Sequence, residues 1–268
     1  MAVPKLLSIA GSDPSGGAGV QADLKTFSAL GCYGMAVVTA LTAQNTTGVT
    51  SVFPIPPDMV AAQIDAIFCD IAVGAVKIGM LAESAIAEAV AASLRRAAAK
   101  NIVLDPVLAA TRGPALSEGG LPSAIMKYLL PLVDLITPNL AEAAVLTGSS
   151  LARDTDEMAA QARALALRGA RAALVKGGHL GGEPTDVLFA NGALTLLSGR
   201  RVDTRHAHGT GCALASAIAT NLAKGLPLAE AVAGAKTWLE RALAAGESLQ
   251  LGAGAGPPNH FWELWGKS

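Results

Sequence analysis

Apolar residues in this chain fall into short unbroken blocks that alternate with longer stretches of helical spacing. Leu6-Leu7-Ser8-Ile9-Ala10 is one such block, as expected of a strand covered on both faces. Over residues 20–30 the apolar positions recur with a helical period, and the pattern stops at Gly31. Residues 33–43, rich in Val and Thr, predict a second strand that ends at Gln44-Asn45-Thr46-Thr47-Gly48. Two strands with a helix between them make a βαβ unit.

The alternation continues along the chain. Pro54, Pro56 and Pro57 mark an irregular connection, with Pro57 suited to a helix start before residues 59–64. Further strands are predicted over residues 75–79, 101–107, 132–137 and 172–179, and helices over residues 83–99, from about Leu140, and over residues 228–245. Residues 185–189 and 194–197 predict a hairpin turning at Asn191-Gly192. Strands alternating with helices imply an α/β fold with a mainly parallel central sheet. Polar residues gather where strands end, at Gly11-Ser12-Asp13, Gln44-Asn45, Gly79, Asp105, Asn139 and Lys176. Ligands of open α/β sheets bind outside the carboxyl ends of the strands, so these residues mark the expected active edge. Strand order does not follow from the pattern.

Composition changes this picture little but excludes several classes. Apolar residues make up 51% of the 268 and charged ones 15%, which supports a large core in one domain over residues 1–268. A formal net charge of −1 offers no field for nucleic acid or an anionic membrane. No apolar run approaches the ~20 residues of a membrane span, and the start lacks the features of a signal peptide. Cys32, Cys69 and Cys212 lack metal-ligand spacing and form an odd set, which fits a reduced, cytoplasmic protein.

Chemistry concentrates in a few stretches. His208-Gly209-Thr210-Gly211-Cys212 precedes an Ala-rich helical run. A Gly-rich turn that opens a helix presents unpaired N–H groups and the positive end of the helix dipole, a site for an anion such as phosphate. Cys212 falls in the first turn, where that field favours its thiolate; a small thiol at an ordinary loop–helix junction is the competing account. Asp105 ends an apolar strand and Glu142 lies three residues past Asn139, placements that suit a Mg2+ bound also to phosphate oxygens. A turn residue before Pro106 and a first-turn glutamate are the plainer alternatives. Lys176 fits a phosphate contact or a solvated strand end. His179 and His208 are assigned to structure, and His206 to an exposed loop. Gly16-Gly17-Ala18-Gly19 lacks the lysine and hydroxyl residue of a P-loop and instead lets backbone approach a small flat substrate. Asp23 suits a substrate hydroxyl, or an exposed helix position. Gln44 carries the donor–acceptor pair that an aminopyrimidine edge requires, or it simply closes a strand.

The stretches 10–25, Thr42-Ala43-Gln44-Asn45-Thr46, Lys77-Ile78-Gly79-Met80, Leu104-Asp105-Pro106-Val107, 136–142, Lys176-Gly177-Gly178-His179 and 208–212 together resemble the hydroxymethylpyrimidine/phosphomethylpyrimidine kinases of thiamine biosynthesis. These belong to the ribokinase-like superfamily, and the likeness runs in order from about residue 5 to His260-Phe261-Trp262. The resemblance implies a three-layer α/β/α sandwich, a homodimer, and use of ATP with Mg2+. It implies phosphorylation of 4-amino-5-hydroxymethyl-2-methylpyrimidine and then of its monophosphate. Gln44 would read the pyrimidine edge, with Gly11, Ala18, Asp23, Met80 and Val107 lining its pocket. Asp105 and Glu142 would serve the metal, and Asn139, Lys176, Thr210 and Gly211 the ATP phosphates. Gly209, Thr210 and Gly211 would form the anion hole, with Cys212 in the place of the aspartate base of related sugar kinases.

The chain departs from the family pattern at two places. Ala207, Ala213 and Ala215 stand where the family usually has Thr, Thr and Ser around the anion hole. Thr111-Arg112-Gly113-Pro114 stands where Lys-Ser-Gly-Asp is common. The alternative activity is a pyridoxal-type vitamin kinase, since pyridoxal also offers a hydroxymethyl group on a flat heteroaromatic ring. Covalent catalysis by Cys212 and a non-catalytic binding role are the remaining alternatives, and neither uses the phosphate-type residues.

Overall fold

Strand β1 (Lys5–Ala10), helix α1 (Gly19–Ala29) and strand β2 (Tyr33–Val38) form the expected opening unit, with β1 and β2 parallel and Lys5 opposite Tyr33. The computed structural model describes residues 2–108, 119–178 and 180–265. Beyond Val38 the expected second strand breaks. Thr39 donates its hydroxyl to the Met80 carbonyl at 2.6 Å, and the chain leaves the sheet there. Residues 40–45 form a separate strand, β3 (Ala40–Asn45), paired antiparallel with β4 (Gly48–Pro54). The apolar run continues across the break, from Ala36-Val37-Val38 to Ala40-Leu41, which is why the pattern hides it. Residues 48–54, which the pattern leaves unassigned up to Pro54, complete this two-stranded flap.

The rest follows as α2 (Pro57–Phe68), β5 (Ala75–Ile78), α3 (Ser84–Arg96), β6 (Ile102–Leu104) and α4 (Leu121–Ala124), which runs on through single turns to Leu132. Then come β7 (Leu135–Ile136), α5 (Leu140–Thr147), α6 (Thr155–Leu167), β8 (Ala172–Val175), β9 (Thr185–Ala190) and β10 (Ala193–Ser198). Helices α7 (Thr210–Ala223), α8 (Leu228–Ala244) and the short α9 (Trp262–Trp265) close the chain. Helix α6 has no counterpart in the pattern reading, although Asp154 and Glu157 mark its start. The Asp154 carboxylate accepts the Glu157 N–H at 2.8 Å, a standard N-cap.

The large sheet has eight strands in the order β10-β9-β8-β7-β6-β5-β1-β2. Strands β8, β7, β6, β5, β1 and β2 are parallel, and the hairpin β9–β10 joins β8 antiparallel. Both faces are covered. Leu7, Ile9, Val76 and Ile78 pack toward α2 to α6, whereas Leu6, Ala75, Val103 and Leu174 pack toward α1, α7 and α8. The result is the expected α/β/α sandwich. Near-continuous apolar strands are what this double burial demands. Every parallel strand therefore delivers its last residues to one edge, with the flap beside it.

Candidate active site

The parallel strands end in a cavity of about 600 Å³. Gly11, Ala18, Gln44, Met80 and Val107 line one end. Asp105, Asn139, Glu142, Lys176 and the turn Gly209-Thr210-Gly211-Cys212 line the middle. Val202, Leu239 and Leu243 line the cavity beside α8, together with the charged side chains of Asp186, Arg201, Lys236 and Glu240. All the expected site residues except Asp23 meet here. Thr111-Arg112-Gly113 and His179 lie outside the described residues.

Helix α7 opens on Gly209, whose left-handed backbone (φ +76°) brings it against the Gly17 carbonyl so closely that a Cβ would overlap it. Only glycine fits. Among the described contacts no side chain caps this helix, and of its first N–H groups Thr210's makes only a long bond, to the Ala207 carbonyl at 3.4 Å. Thr210 also donates its hydroxyl to the Ala207 carbonyl at 2.7 Å, which fixes the turn. Gly209, Thr210 and Gly211 line the cavity at this helix start.

Lys176 ends β8 and reaches the Asp105 carboxylate at 2.7 Å. Burial alone lowers an ammonium pKa, but Asp105 and Glu142 more than offset that and raise it, so Lys176 stays charged. Glu142 joins Asn139 in a capping box at the head of α5. The Asn139 side chain accepts the Glu142 N–H at 2.9 Å, and the Glu142 carboxylate accepts the Asn139 N–H at 2.8 Å. Asn139 thus has a helix-capping role besides its place in the wall. Burial pushes the Glu142 carboxyl up to about 7, against the pull of Lys176 and with a further push from Asp105. Two hard carboxylates crowded beside one ammonium form a donor set that suits a divalent cation.

That crowding has a measurable cost. A carboxyl whose pKa is raised on folding stabilises the native state below its unfolded pKa and loses that contribution as pH climbs through the folded value. Stability from this group is therefore full below about 4.5 and lost as pH rises through about 7. Glu142→Gln keeps the capping geometry and removes the charge. Its Tm should exceed wild type by a few degrees at pH 8 and by nothing at pH 4.5. Equal Tm values at pH 8 would show that the Glu142 charge is not strained.

Three expectations are corrected, the first being His206, which is buried at 2% exposure and not in an exposed loop. Asp23 is neither exposed nor in the cavity wall. It lies three residues after Val20 and four before Phe27, on the inner face of α1, fully buried. Its oxygens accept from Ser8 Oγ at 2.6 Å, Ser216 Oγ at 2.7 Å and Lys77 Nζ at 2.9 Å. It is the hub of a buried polar network beneath the site, not a substrate ligand. Cys212 is the third correction. Its half-buried Sγ faces the cavity, but burial pushes the thiol up to about 11. Lys77 and the Gly19 N–H pull it down, and the Asp23 and Asp105 carboxylates push it further up. In the free protein Cys212 is a thiol. The helix start alone suggested the opposite sign.

Sequence reasoning gave no individual role to Lys77 or Asp13, and assigned His208 to structure without naming a partner. Lys77 is a charge inside an otherwise apolar strand and fully buried, the signal that it must be paired. Asp13, 2% exposed, accepts from the Ser15 and Ala18 backbone N–H groups at 2.9 and 2.8 Å and so shapes the Gly-rich loop. His208 Nε2 stands 2.9 Å from the Asp13 carboxylate. Burial favours a neutral Asp13, but bonds from His208 and Ser15 outweigh it and hold the carboxyl below its usual range.

The parallel sheet with an antiparallel hairpin at one end, and a flap over the carboxyl edge, place the protein among the ribokinase-like small-molecule kinases. A pyridoxal kinase from Staphylococcus aureus, solved with AMP-PCP and pyridoxal, superimposes with a TM-score of 0.90 at 32% identity over 99% of this chain and 96% of that one. A phosphomethylpyrimidine kinase from Clostridium difficile gives 0.78 at 39% identity over 89% and 98%. Residues 13–259 match the phosphomethylpyrimidine kinase family, and the chain belongs to that family. A hydroxymethylpyrimidine/phosphomethylpyrimidine kinase of Rhizobium meliloti is 54% identical over 97% of each chain.

Proposed function

We propose that this single-domain kinase uses ATP to phosphorylate the hydroxymethyl group of 4-amino-5-hydroxymethyl-2-methylpyrimidine and then extends the monophosphate to the diphosphate. The observation that carries this reading is the set of groups brought together in one cavity. Gln44 and Met80, able to read a flat ring, share its wall with Lys176, the two carboxylates, the anion loop and the inner side of α8. The reacting groups would meet within it.

In the first step the alcohol oxygen bonds to the γ-phosphorus, the bond to the bridging oxygen breaks, and ADP leaves. The alcohol proton passes to Cys212 Sγ in the fraction of enzyme whose thiol has first released its own proton to solvent. In the second step the nucleophile is a phosphate oxygen, already ionised near neutral pH, and no base is required. Phosphoryl transfer depends mainly on positioning and charge neutralisation. Lys176 and the N–H groups at the head of α7 would supply part of that neutralisation. Asp105 and Glu142 would hold a Mg2+, which supplies further positive charge to the phosphate oxygens.

Gln44 would pair with the ring amine and the adjacent ring nitrogen. Gln44→Leu leaves two buried ligand groups unpaired, at about 1–3 kcal/mol each. The pyrimidine KM should rise at least about tenfold while the ATP KM stays within about twofold. A parallel rise of both KM values would remove Gln44 from substrate reading.

The reading extends to a cytoplasmic homodimer. No helix among the described residues is long and apolar enough to cross a membrane. Leu41, Phe53 and Met59 lie exposed on the flap and the adjoining helix α2, a surface suited to a second copy. Sedimentation showing only monomer at micromolar concentration would remove the dimer.

A further inference from the structure

The polar chain around Gln44 contains a conflict of hydrogens with one resolution. His208 Nε2 lies 2.9 Å from Asp13 Oδ2 and 3.2 Å from the side-chain nitrogen of Gln44. One ring nitrogen carries either a proton or a lone pair, never both. Facing an ionised carboxylate it must be N–H, and an N–H has nothing to accept from the Gln44 amide nitrogen. At the other end, the Thr42 hydroxyl stands 2.8 Å from the Ser12 carbonyl and 3.3 Å from the Gln44 carbonyl oxygen. Its single proton satisfies the nearer Ser12 carbonyl. It then has only lone pairs to offer Gln44.

Both conflicts vanish if the Gln44 amide is turned about. We propose that Asp13 and His208 act as a positioning pair that holds the Gln44 carbonyl toward His208 and its NH2 toward Thr42, so that the cavity prefers a ring with an exocyclic amine over one with an oxygen at the same place. The His208 N–H is then shared between Asp13 and the Gln44 carbonyl. The Gln44 NH2 donates to Thr42, which donates to Ser12. Each of the two amide ends keeps one free direction. The free carbonyl lone pair takes a ring amine on the His208 side, and the free N–H takes a ring nitrogen on the Thr42 side. A ring carrying an oxyanion or a carbonyl in place of the amine meets the Gln44 lone pair instead and is rejected.

The surroundings hold the imidazole in place. Gly17 packs against its Cδ2 edge, where a Cβ would stand 2.6 Å away, and the Ala18 and Gly17 N–H groups bind the same Asp13 oxygen at 2.8 and 3.2 Å. The His208 backbone N–H donates to the Gly256 carbonyl at 3.0 Å. Asp13 and His208 are positioning residues. They act through Gln44.

This inference rests on Gln44 reading the ring, and the test separates the two. Ratios of kcat/KM are measured for the 4-amino pyrimidine alcohol and its 4-oxo analogue in wild type, His208→Phe, His208→Gln and Thr42→Val. Phe keeps the ring against Gly17 without an N–H, and Gln returns a donor. The amine-to-oxo ratio should fall at least about tenfold in His208→Phe and in Thr42→Val, and recover at least in part in His208→Gln, with the ATP KM unmoved. A purely structural role would lower both substrates equally. A wild-type ratio in both His208→Phe and Thr42→Val overturns the proposal while leaving Gln44 in place. A wild type that does not discriminate between the two rings overturns the reading of Gln44 itself.

Discussion

Lys176→Ala should lower kcat/KM for ATP at least about 100-fold and leave the pyrimidine KM within about threefold. The ammonium sits 2.7 Å from Asp105 and is held charged by Asp105 and Glu142 against the pull of burial. It lies beside Gly211 of the anion loop, where phosphates would lie. Removing a preformed positive group from a site of developing charge costs on the order of 10²–10³ in rate. The same change strands two carboxylates, and breaking a buried pair from one side is destabilising. The variant should therefore also unfold at lower temperature. Lys176→Arg should not restore the rate. Position 211 is so close that a Cβ there would stand 3.2 Å from Lys176 Nζ, which leaves little room for a guanidinium. An ATP KM and a kcat both within threefold of wild type would reduce Lys176 to a structural partner of Asp105.

Cys212→Ala should divide the two phosphorylations. The first needs an alcohol proton removed, for which a positioned base is worth about 10²–10⁴. The second begins from a phosphate oxygen with a pKa of about 6 and needs none. The kcat for the alcohol should fall at least about 100-fold, and that for the monophosphate at most a few-fold. Because burial holds the Cys212 thiol near 11, the wild-type first step should speed up with pH between about 6 and 9, and Cys212→Ala should lose that slope. Iodoacetamide should inactivate slowly at pH 7 and faster at pH 9, since only the thiolate reacts. A Cys212→Ala enzyme within threefold of wild type on the alcohol, with the same pH slope, would show that the anion loop and metal suffice.

Much of this site was legible because strands buried on both faces admit few polar residues. Those that appear at strand ends, Asp105, Asn139 and Lys176, had to be at one edge once the sheet was known to be parallel. The flap was not legible, because the break at Thr39 is made by a hydroxyl bonding to Met80, 41 residues away. The Asp23 hub was available from helical spacing alone, since position 23 shares a face with Val20 and Phe27, but an acid there suggested a ligand before a buried partner. The Cys212 pKa was beyond reach. Its sign depends on how burial, Lys77, Asp23 and Asp105 sum in space, and a helix start supplies only one contribution to that sum. The polar chain from Asp13 through His208 to Gln44 joins residues 195 positions apart and becomes visible only in three dimensions.

The relatives include both pyrimidine and pyridoxal kinases, so the decisive comparison is between those two alcohols. Purified enzyme with ATP and Mg2+ is given 4-amino-5-hydroxymethyl-2-methylpyrimidine or pyridoxal, and ADP release is followed with the phosphorylated products. The pyrimidine should be converted to its monophosphate and then its diphosphate, with kcat/KM at least about tenfold above that for pyridoxal. Equal or greater efficiency on pyridoxal, or no diphosphate from the pyrimidine, would contradict the function proposed for this cavity.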